Sequence, residues 1–176
     1  MGSQNLASDI RRSGGFIDAK ALANLLLDWG DEDRVDISPM KLQKLVFFLH
    51  ADFLVKHGRP LIKQEFEAWD HGPVIPTLYT EFKKFKGDPI RTRAQAFDPI
   101  TASSSTAEYR LKGNDIRLVR ELYDFYKRLS AFELSRRSHD FEGVWRQARS
   151  LFANGLNMDR RISNEMIIAL HRPIHS

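Results

Sequence analysis

Histidine is the residue type in this sequence that most readily suggests chemistry, because imidazole binds metal ions and exchanges protons near neutral pH. The chain contains six histidines and no cysteine. His50 and His57 lie seven residues apart in one apolar stretch, too far to bind a single ion without a ligand from another element. The H-E-x-x-H pattern of zinc hydrolases is absent. The sequence therefore favours a buried, hydrogen-bonded His50 over a metal ligand or a catalytic base.

A second candidate is the run Ser138-His139-Asp140, which contains the three residue types of a serine-hydrolase triad. Consecutive residues do not readily form a triad, because its members come from separate elements, and no G-x-S-x-G turn is present. His139 is expected to cap a helix or to bond a backbone carbonyl group. A phosphate-binding glycine loop is also absent. The sequence thus predicts no catalytic residue, no metal site and no cofactor.

The distribution of charge leaves two kinds of partner open. The net charge is +4, with a net of −2 in residues 1–75 and +6 in residues 76–176. A basic half attracts an acidic partner, either a protein or a nucleic acid. A solvated protein surface gives the same pattern, so the charge alone does not identify the partner. The aromatic residues fall at helical spacing, which favours core positions over base stacking.

The composition fits one folded domain. Apolar residues make up 42% of the 176 residues, including 12 Phe and 3 Trp, which is enough for a core without metal or disulfide support. No apolar run approaches the ~20 residues of a membrane span, and the first residues lack the pattern of a signal peptide. We therefore expect a cytoplasmic protein without a membrane partner. Residues 1–15 are predicted to be a flexible N-terminal segment and residues 172–176 a C-terminal tail.

The periodicity of apolar residues predicts a mainly α fold, a compact single-domain helical bundle with a small β-hairpin. Asp18 is predicted to cap a first helix that ends at Gly30 and is followed by an exposed acidic link at residues 31–33. Ser38, followed by a proline, is a typical start for a second helix, which should run to His57.

The middle of the chain is predicted to be less regular. Residues 69–76 are expected to form a stiff loop around two prolines. A short helix follows at residues 76–86 and is expected to bury Tyr79. Residues 90–97 and 107–111 are predicted to be two strands around a Ser-rich tip, which together form the hairpin.

Helices are expected again in the last third of the chain. One should open at residue 114 or 115. Ser130 and Glu133 match the capping box, so a short helix should begin there and end near His139. An apolar helical face covers residues 144–151, and Ser163 is predicted to cap a last helix.

The second helix carries polar residues on two opposite sides. Gln43 and His50 lie on the side predicted to be deepest, where they should be buried and hydrogen-bonded, with the backbone of residues 69–76 as a partner. Four charged residues lie on the opposite side, which is predicted to face solvent: Lys41, Lys44, Asp52 and Lys56.

Three segments match a known family in order and spacing: MKLQKLVFF at 40–48, EAWDHGPVIPTLY at 67–79 and LSAFELSRRSH at 129–139. They resemble the Panacea domain, formerly a phage-associated domain of unknown function. Its pattern is a KLQKLLY helix, a W-x-x-GPV-x-P-x-x-Y loop and an LS-x-x-TH helix followed by a tryptophan. The similarity covers about residues 16–170. This sequence departs at Phe47 and His71, where the family usually has Tyr, and at Ser138, where it usually has Thr.

The resemblance implies a Panacea-like helical domain at residues 16–171 and an antitoxin of a bacterial or prophage toxin–antitoxin pair. Such a protein neutralises a cognate toxin by direct binding, and delivery of the toxin to a cellular protease is a further route. A nucleic-acid-binding regulator is an alternative, and a hydrolase is a less favoured one.

The family-motif residues are expected to be mostly structural, with Trp69 and Trp145 as core anchors. The toxin is expected to contact exposed elements instead, at residues 83–112 and at the arginines of 136–149. The motif residues are Lys41, Leu42, Gln43, Lys44, Trp69, Gly72, Pro73, Val74, Pro76, Tyr79, Leu134, Ser135, Ser138, His139 and Trp145.

Overall fold

The computed structural model describes residues 17–111, 113–139 and 143–173. The expectations for residues 1–15, for Asp140 and for most of the predicted tail lie outside this part of the chain. The described helices are α1 (Ala19–Asp33), α2 (Pro39–His57), α3 (Pro76–Phe82), α4 (Asn114–Tyr126), α5 (Ala131–Ser138), α6 (Val144–Ala153) and α7 (Asn164–Leu170), and α3 continues into a 3-10 turn at Lys83–Phe85. The described strands are β1 (Phe66–Trp69), β2 (Gly72–Val74), β3 (Gln95–Asp98), β4 (Ser103–Thr106) and β5 (Arg161–Ile162).

Helix α2 is the centre of the fold. It begins as predicted, with the Ser38 hydroxyl accepting from the Lys41 N–H and a proline at the first position, and Gly58 ends it in the left-handed conformation. Helices α1, α3, α4, α5 and α7 and strand β2 all pack against it. Every residue from 42 to 54 is buried as a result. The mainly α architecture with a small hairpin is therefore confirmed.

The strands form two separate antiparallel sheets. In the first, β1 pairs with β2 on one side and with β5 on the other, so that Ala68 lies opposite Pro73 and Phe66 opposite Ile162. In the second, β3 and β4 form the predicted hairpin, with all eight strand residues exposed. The first strand overlaps the predicted residues 90–97, but the second strand occupies residues 103–106 of the predicted tip and not residues 107–111.

The prediction of a loop at residues 69–76 was wrong, because this segment forms the turn and second strand of the β1–β2 hairpin. Pro73, one of the two prolines that suggested a loop, lies in β2. It is tolerated there because β2 is an edge strand of the sheet, where a missing N–H on the outer side breaks no hydrogen bond.

The end of α1 also differs from the prediction. Gly30 does not stop the helix, which continues to Asp33 and ends at Arg34 in the left-handed conformation. Gly30 is buried, and a Cβ there would lie 2.8 Å from a methyl carbon of Ile37, so this glycine allows close packing. Asp33 belongs to the helix and pairs with Lys127 at 2.8 Å. The predicted acidic link is thus the last turn of α1. Its Asp33 forms ion pairs with Arg120 of α4 and with Lys127, the residue after α4.

The predicted solvent face of α2 was the largest error. Lys44 and Asp52 are each 1% exposed, whereas Lys56 is exposed. Asp52 accepts hydrogen bonds from Tyr126 at 2.6 Å and contacts His171 Nε2 at 2.5 Å. Because helices and strands surround α2, its charged residues meet partners from elements distant in sequence, where the helical period alone predicted water.

The helices of the last third follow the sequence signals closely. The capping box of Ser130 and Glu133 is complete, and α5 ends at Ser138. Ser163 accepts a hydrogen bond from the Met166 N–H at the start of α7. Val119, Tyr123 and Tyr126 of α4 are buried. None of the helices in the described ranges is both long and apolar enough to cross a membrane.

Candidate functional site

The three motif segments meet at one place, where the β1–β2 hairpin passes between α2 and α5. Gly72 lies at this junction with φ +103°, a conformation that side-chain-bearing residues rarely adopt. A Cβ at Gly72 would lie 2.6 Å from Lys44 Nζ and 2.6 Å from Ser138 Oγ. Motifs separated by up to 94 residues in the chain therefore form one contiguous structure.

Gln43 fixes the strand that follows the hairpin turn to α2. Its side-chain oxygen accepts from the Ile75 N–H at 2.9 Å, and its side-chain N–H donates to the Ile75 carbonyl oxygen at 3.1 Å. Gln43 is 6% exposed, so both bonds are shielded from water. The predicted burial of Gln43, and its bonding to the 69–76 backbone, is confirmed.

Lys44 is a buried ammonium group at the same junction. Its Nζ donates to the Pro73 carbonyl oxygen at 3.0 Å. Desolvation by burial lowers the pKa of Lys44 from 10.5 to about 7, because the surroundings disfavour the charged form. An anion that approached this amine would favour the charged form again.

Helix α5 closes the junction with hydrogen bonds to backbone carbonyl oxygens. Ser138 Oγ donates to the Ser135 carbonyl oxygen at 2.7 Å, and Ser135 Oγ donates to that of His71 at 3.3 Å. His139 lies at the end of the helix with Nδ1 2.6 Å from the Ser135 oxygen and Nε2 3.3 Å from the Asp70 oxygen. The expectation that His139 bonds backbone carbonyl groups is confirmed, and its contacts are those of a structural residue.

The two motif tryptophans meet at the end of β1, the strand that contains Trp69. Trp145 donates from its indole N–H to the Trp69 carbonyl oxygen at 2.7 Å, and the Trp69 indole donates to Glu67 at 2.7 Å. Both side chains are half-buried and not fully buried, but Trp145 packs against the core, so the expectation of core anchors holds only in part. Tyr79, expected inside, is 45% exposed and its ring centroid lies 5.0 Å from that of Trp69.

The remaining motif residues have structural positions. Leu42, Val74 and Leu134 belong to the core. Pro76 occupies the first turn of α3. Lys41 donates to the Lys127 carbonyl oxygen at 2.9 Å, and burial lowers its pKa.

A groove of about 480 Å³ opens beside this junction, between the start of α2, the hairpin and α3. This volume lies in the range of pockets that bind compact ligands. Lys44 and Gln43 line it from α2, and the Trp69 and Tyr79 rings line it from the hairpin and α3. Met40, which is 40% exposed, contributes a flexible apolar side chain. Sequence reasoning identified these residues as a motif but gave no signal that they enclose a cavity.

The groove carries an excess of positive charge. Lys44, Lys83, Lys86 and Arg160 line it, and Asp70 is the carboxylate among its described lining residues. Asp70 forms an ion pair with Arg149 at 2.7 Å, so its charge is balanced by Arg149 and not by the basic residues of the groove. The groove therefore combines exposed aromatic rings with a positive potential.

His50 lies elsewhere, inside the core. Its Nδ1 accepts from the Ile62 N–H at 3.3 Å, so the proton of the neutral ring is on Nε2, which lies 2.9 Å from the Asn164 side-chain oxygen. Burial lowers the pKa of His50 to about 4. The predicted burial and hydrogen bonding of His50 is confirmed. Within the described ranges, no group of three or more His, Asp or Glu residues could hold a metal ion.

Comparisons with known proteins agree with the motif residues. The family model described as antitoxin SocA-like, Panacea domain, matches residues 42–146. Antitoxin SocA from Caulobacter vibrioides is 34% identical over 155 residues, which cover 86% of this chain and 80% of that protein. No solved structure matches the chain.

Proposed function

We propose that this chain, which belongs to the SocA-like Panacea-domain antitoxins, neutralises a cognate toxin protein by binding it directly. The family match carries this proposal, because it covers most of the fold and includes the junction of α2, the β1–β2 hairpin and α5. The antitoxin role is the family's property, and direct toxin binding is the mechanism that the site supports best.

The contacts of the chemically capable side chains support a binding role over catalysis. His50 is 1% exposed and bonded on both ring nitrogens, so it cannot reach a substrate. Ser138 donates its hydroxyl hydrogen to a backbone oxygen of its own helix. His139 contacts the Ser135 and Asp70 carbonyl oxygens, and within the part of the chain that the structure describes it forms no nucleophile–base–acid arrangement of a hydrolase. A stoichiometric binder needs none of these groups to be reactive.

Co-expression with the product of the adjacent gene tests the proposal. If that product is the cognate toxin, it should arrest growth when expressed alone, and this protein should restore growth and co-purify with it. Ser138→Ala and His139→Ala, provided that they fold, should retain rescue because neither side chain is proposed to react with the toxin.

Two results would contradict the proposal. Rescue without any complex, lost in a folded Ser138→Ala variant, would indicate catalysis. Failure to rescue, together with DNA binding that weakens steeply with salt, would favour the nucleic-acid-binding regulator.

A further inference from the structure

We propose that the groove between α2, the β1–β2 hairpin and α3 binds a short acidic segment of the partner protein that carries one large apolar side chain. This inference rests on the proposed function and adds the site and the chemistry of the bound segment. The apolar side chain would lie against Trp69 and Tyr79, and neighbouring carboxylates would face Lys83, Lys86 and Arg160.

The shape of the groove favours a few side chains of a protein segment. Its volume of about 480 Å³ lies in the range of pockets that enclose a compact ligand, and it can hold an anchor residue with its neighbours. Tyr79 and Met40 are 45% and 40% exposed there, so both offer apolar surface to a ligand in the groove. Exposed aromatic rings beside a pocket are the groups that contribute most to protein binding, because they bury a large area with little loss of conformational freedom.

The charge of the groove favours an acidic occupant. Lys83 and Lys86 are exposed, and neither has an ion pair among the described residues. The Arg160 guanidinium lies over the Phe152 ring at 4.4 Å, which holds it in place without neutralising its charge. Lys44 adds an amine at the buried end of the groove. Carboxylates of a bound segment would complement Lys83, Lys86 and Arg160, whereas a basic segment would be repelled. A nucleic-acid duplex is anionic too, but it is too wide for this volume.

The rigidity of the walls supports a preformed site. Gln43 holds the strand after the hairpin through two hydrogen bonds, and Trp145 holds the Trp69 carbonyl oxygen from behind. The Trp69 indole is itself oriented by Glu67. A site whose walls are fixed before binding loses less conformational entropy when a ligand enters.

Selection from a random peptide library on the purified full chain tests the groove without knowledge of the partner. We expect the selected peptides to share an aromatic or long aliphatic residue flanked by Asp or Glu. A synthetic peptide of the consensus sequence, labelled with a fluorophore, then gives the dissociation constant for each variant.

Matched variants locate the peptide. Tyr79→Ala should weaken binding about tenfold or more, as loss of an aromatic anchor does. Phe97→Ala, on the exposed hairpin strand β3 and 65% exposed, should leave the affinity unchanged. Lys83→Glu should slow association, whereas Lys84→Glu, which makes the same charge change one residue away and outside the groove lining, should have a smaller effect.

The inference is overturned if no peptide is enriched, if the enriched peptides are basic or lack carboxylates, or if Tyr79→Ala and Phe97→Ala have equal effects. If the groove binds a small molecule instead of a protein segment, no peptide should be enriched.

The toxin supplies the second readout. Folded Tyr79→Ala and Lys83→Glu proteins should rescue growth less well than Phe97→Ala and Lys84→Glu proteins. If the wild-type chain fails to rescue growth while acidic peptides still bind the groove, the proposed function is wrong and the groove assignment stands. If the Tyr79→Ala protein rescues growth fully, the toxin binds elsewhere. The groove assignment is then wrong, whereas the proposed function stands.

Discussion

Gln43 and Lys44 are neighbours in the sequence, yet their buried side chains are stabilised in different ways. Gln43 satisfies a donor and an acceptor of Ile75 at the same time. Lys44 donates to Pro73 and is shielded from water, which destabilises its charge. Gln43 therefore stabilises the fold at all pH values, whereas Lys44 makes the stability of the fold depend on pH.

Gln43→Ala should lower the free energy of unfolding by about 2–3 kcal/mol, because the N–H and carbonyl groups of Ile75 would be left buried without their partner. Urea denaturation measures the change. Gln147→Ala is the matched control, because Gln147 is exposed on α6, and it should change stability by less than about 0.5 kcal/mol. Equal effects of the two substitutions would show that the Gln43 bonds contribute little.

Lys44→Met should remove a rise of stability with pH. The folded pKa of Lys44 is about 7 and its ordinary value is 10.5, so between these values the unfolded chain binds more protons. The free energy of unfolding therefore increases with pH across this window, by at most about 1.4 kcal/mol per pH unit from this group. Denaturation at pH 7.5 and 9.5 should show the wild type gaining about 2 kcal/mol relative to the variant. Parallel profiles would mean that the ammonium group is well solvated.

The sequence predicted the partners of some single residues but not of others. Gln43 and His50 were placed inside because they lie opposite a charged stripe, and both are buried. Lys44 and Asp52 were placed outside by the same reasoning, and both are buried too. A helical period describes one helix and cannot show that α2 is covered on all sides. Its charged residues depend on Pro73 and His171, which lie 29 and 119 positions away in the chain.

At the scale of elements, the boundaries with local chemical signals were predictable. Ser38, Ser130 and Ser163 each cap the helix that the sequence assigned to them. The β1–β2 hairpin was missed because its outer strand is only three residues long and contains a proline. Such a strand is stable only when packed against α2 and α5, and that packing is not encoded locally.

The hairpin turn gives the prediction at this scale. Gly72→Ala should destabilise the protein by at least about 2 kcal/mol, because φ +103° strains a residue with a Cβ and the added carbon would meet Lys44 and Ser138. Thermal unfolding followed by circular dichroism measures the loss. Gly87→Ala is the control, since a Cβ there meets nothing within 4 Å. If the two variants melt at similar temperatures, the junction is looser than the described contacts require.

At the scale of the whole molecule, the shared family motif and the candidate binding surface overlap. Most motif residues are buried or bonded to backbone, as a structural role requires, but Trp69 and Tyr79 are also exposed in the basic groove. Three motifs in the sequence identified the family, but the partner surface was predicted at residues 83–112 and 136–149. That placement remains a prediction, and the proposed groove includes only Lys83 and Lys86 of the first stretch. A cavity between three distant segments has no signature in any one of them.

The central claim is that this chain neutralises its toxin by forming a complex. Titration of the purified chain against a fixed amount of the purified product of the adjacent gene tests it most directly, with toxin activity and complex formation measured in the same samples. The account predicts that activity falls in proportion to the added protein and disappears at a fixed molar ratio, where a single complex elutes from size exclusion. Loss of toxin activity at a small fraction of that ratio, or without a complex, would contradict it.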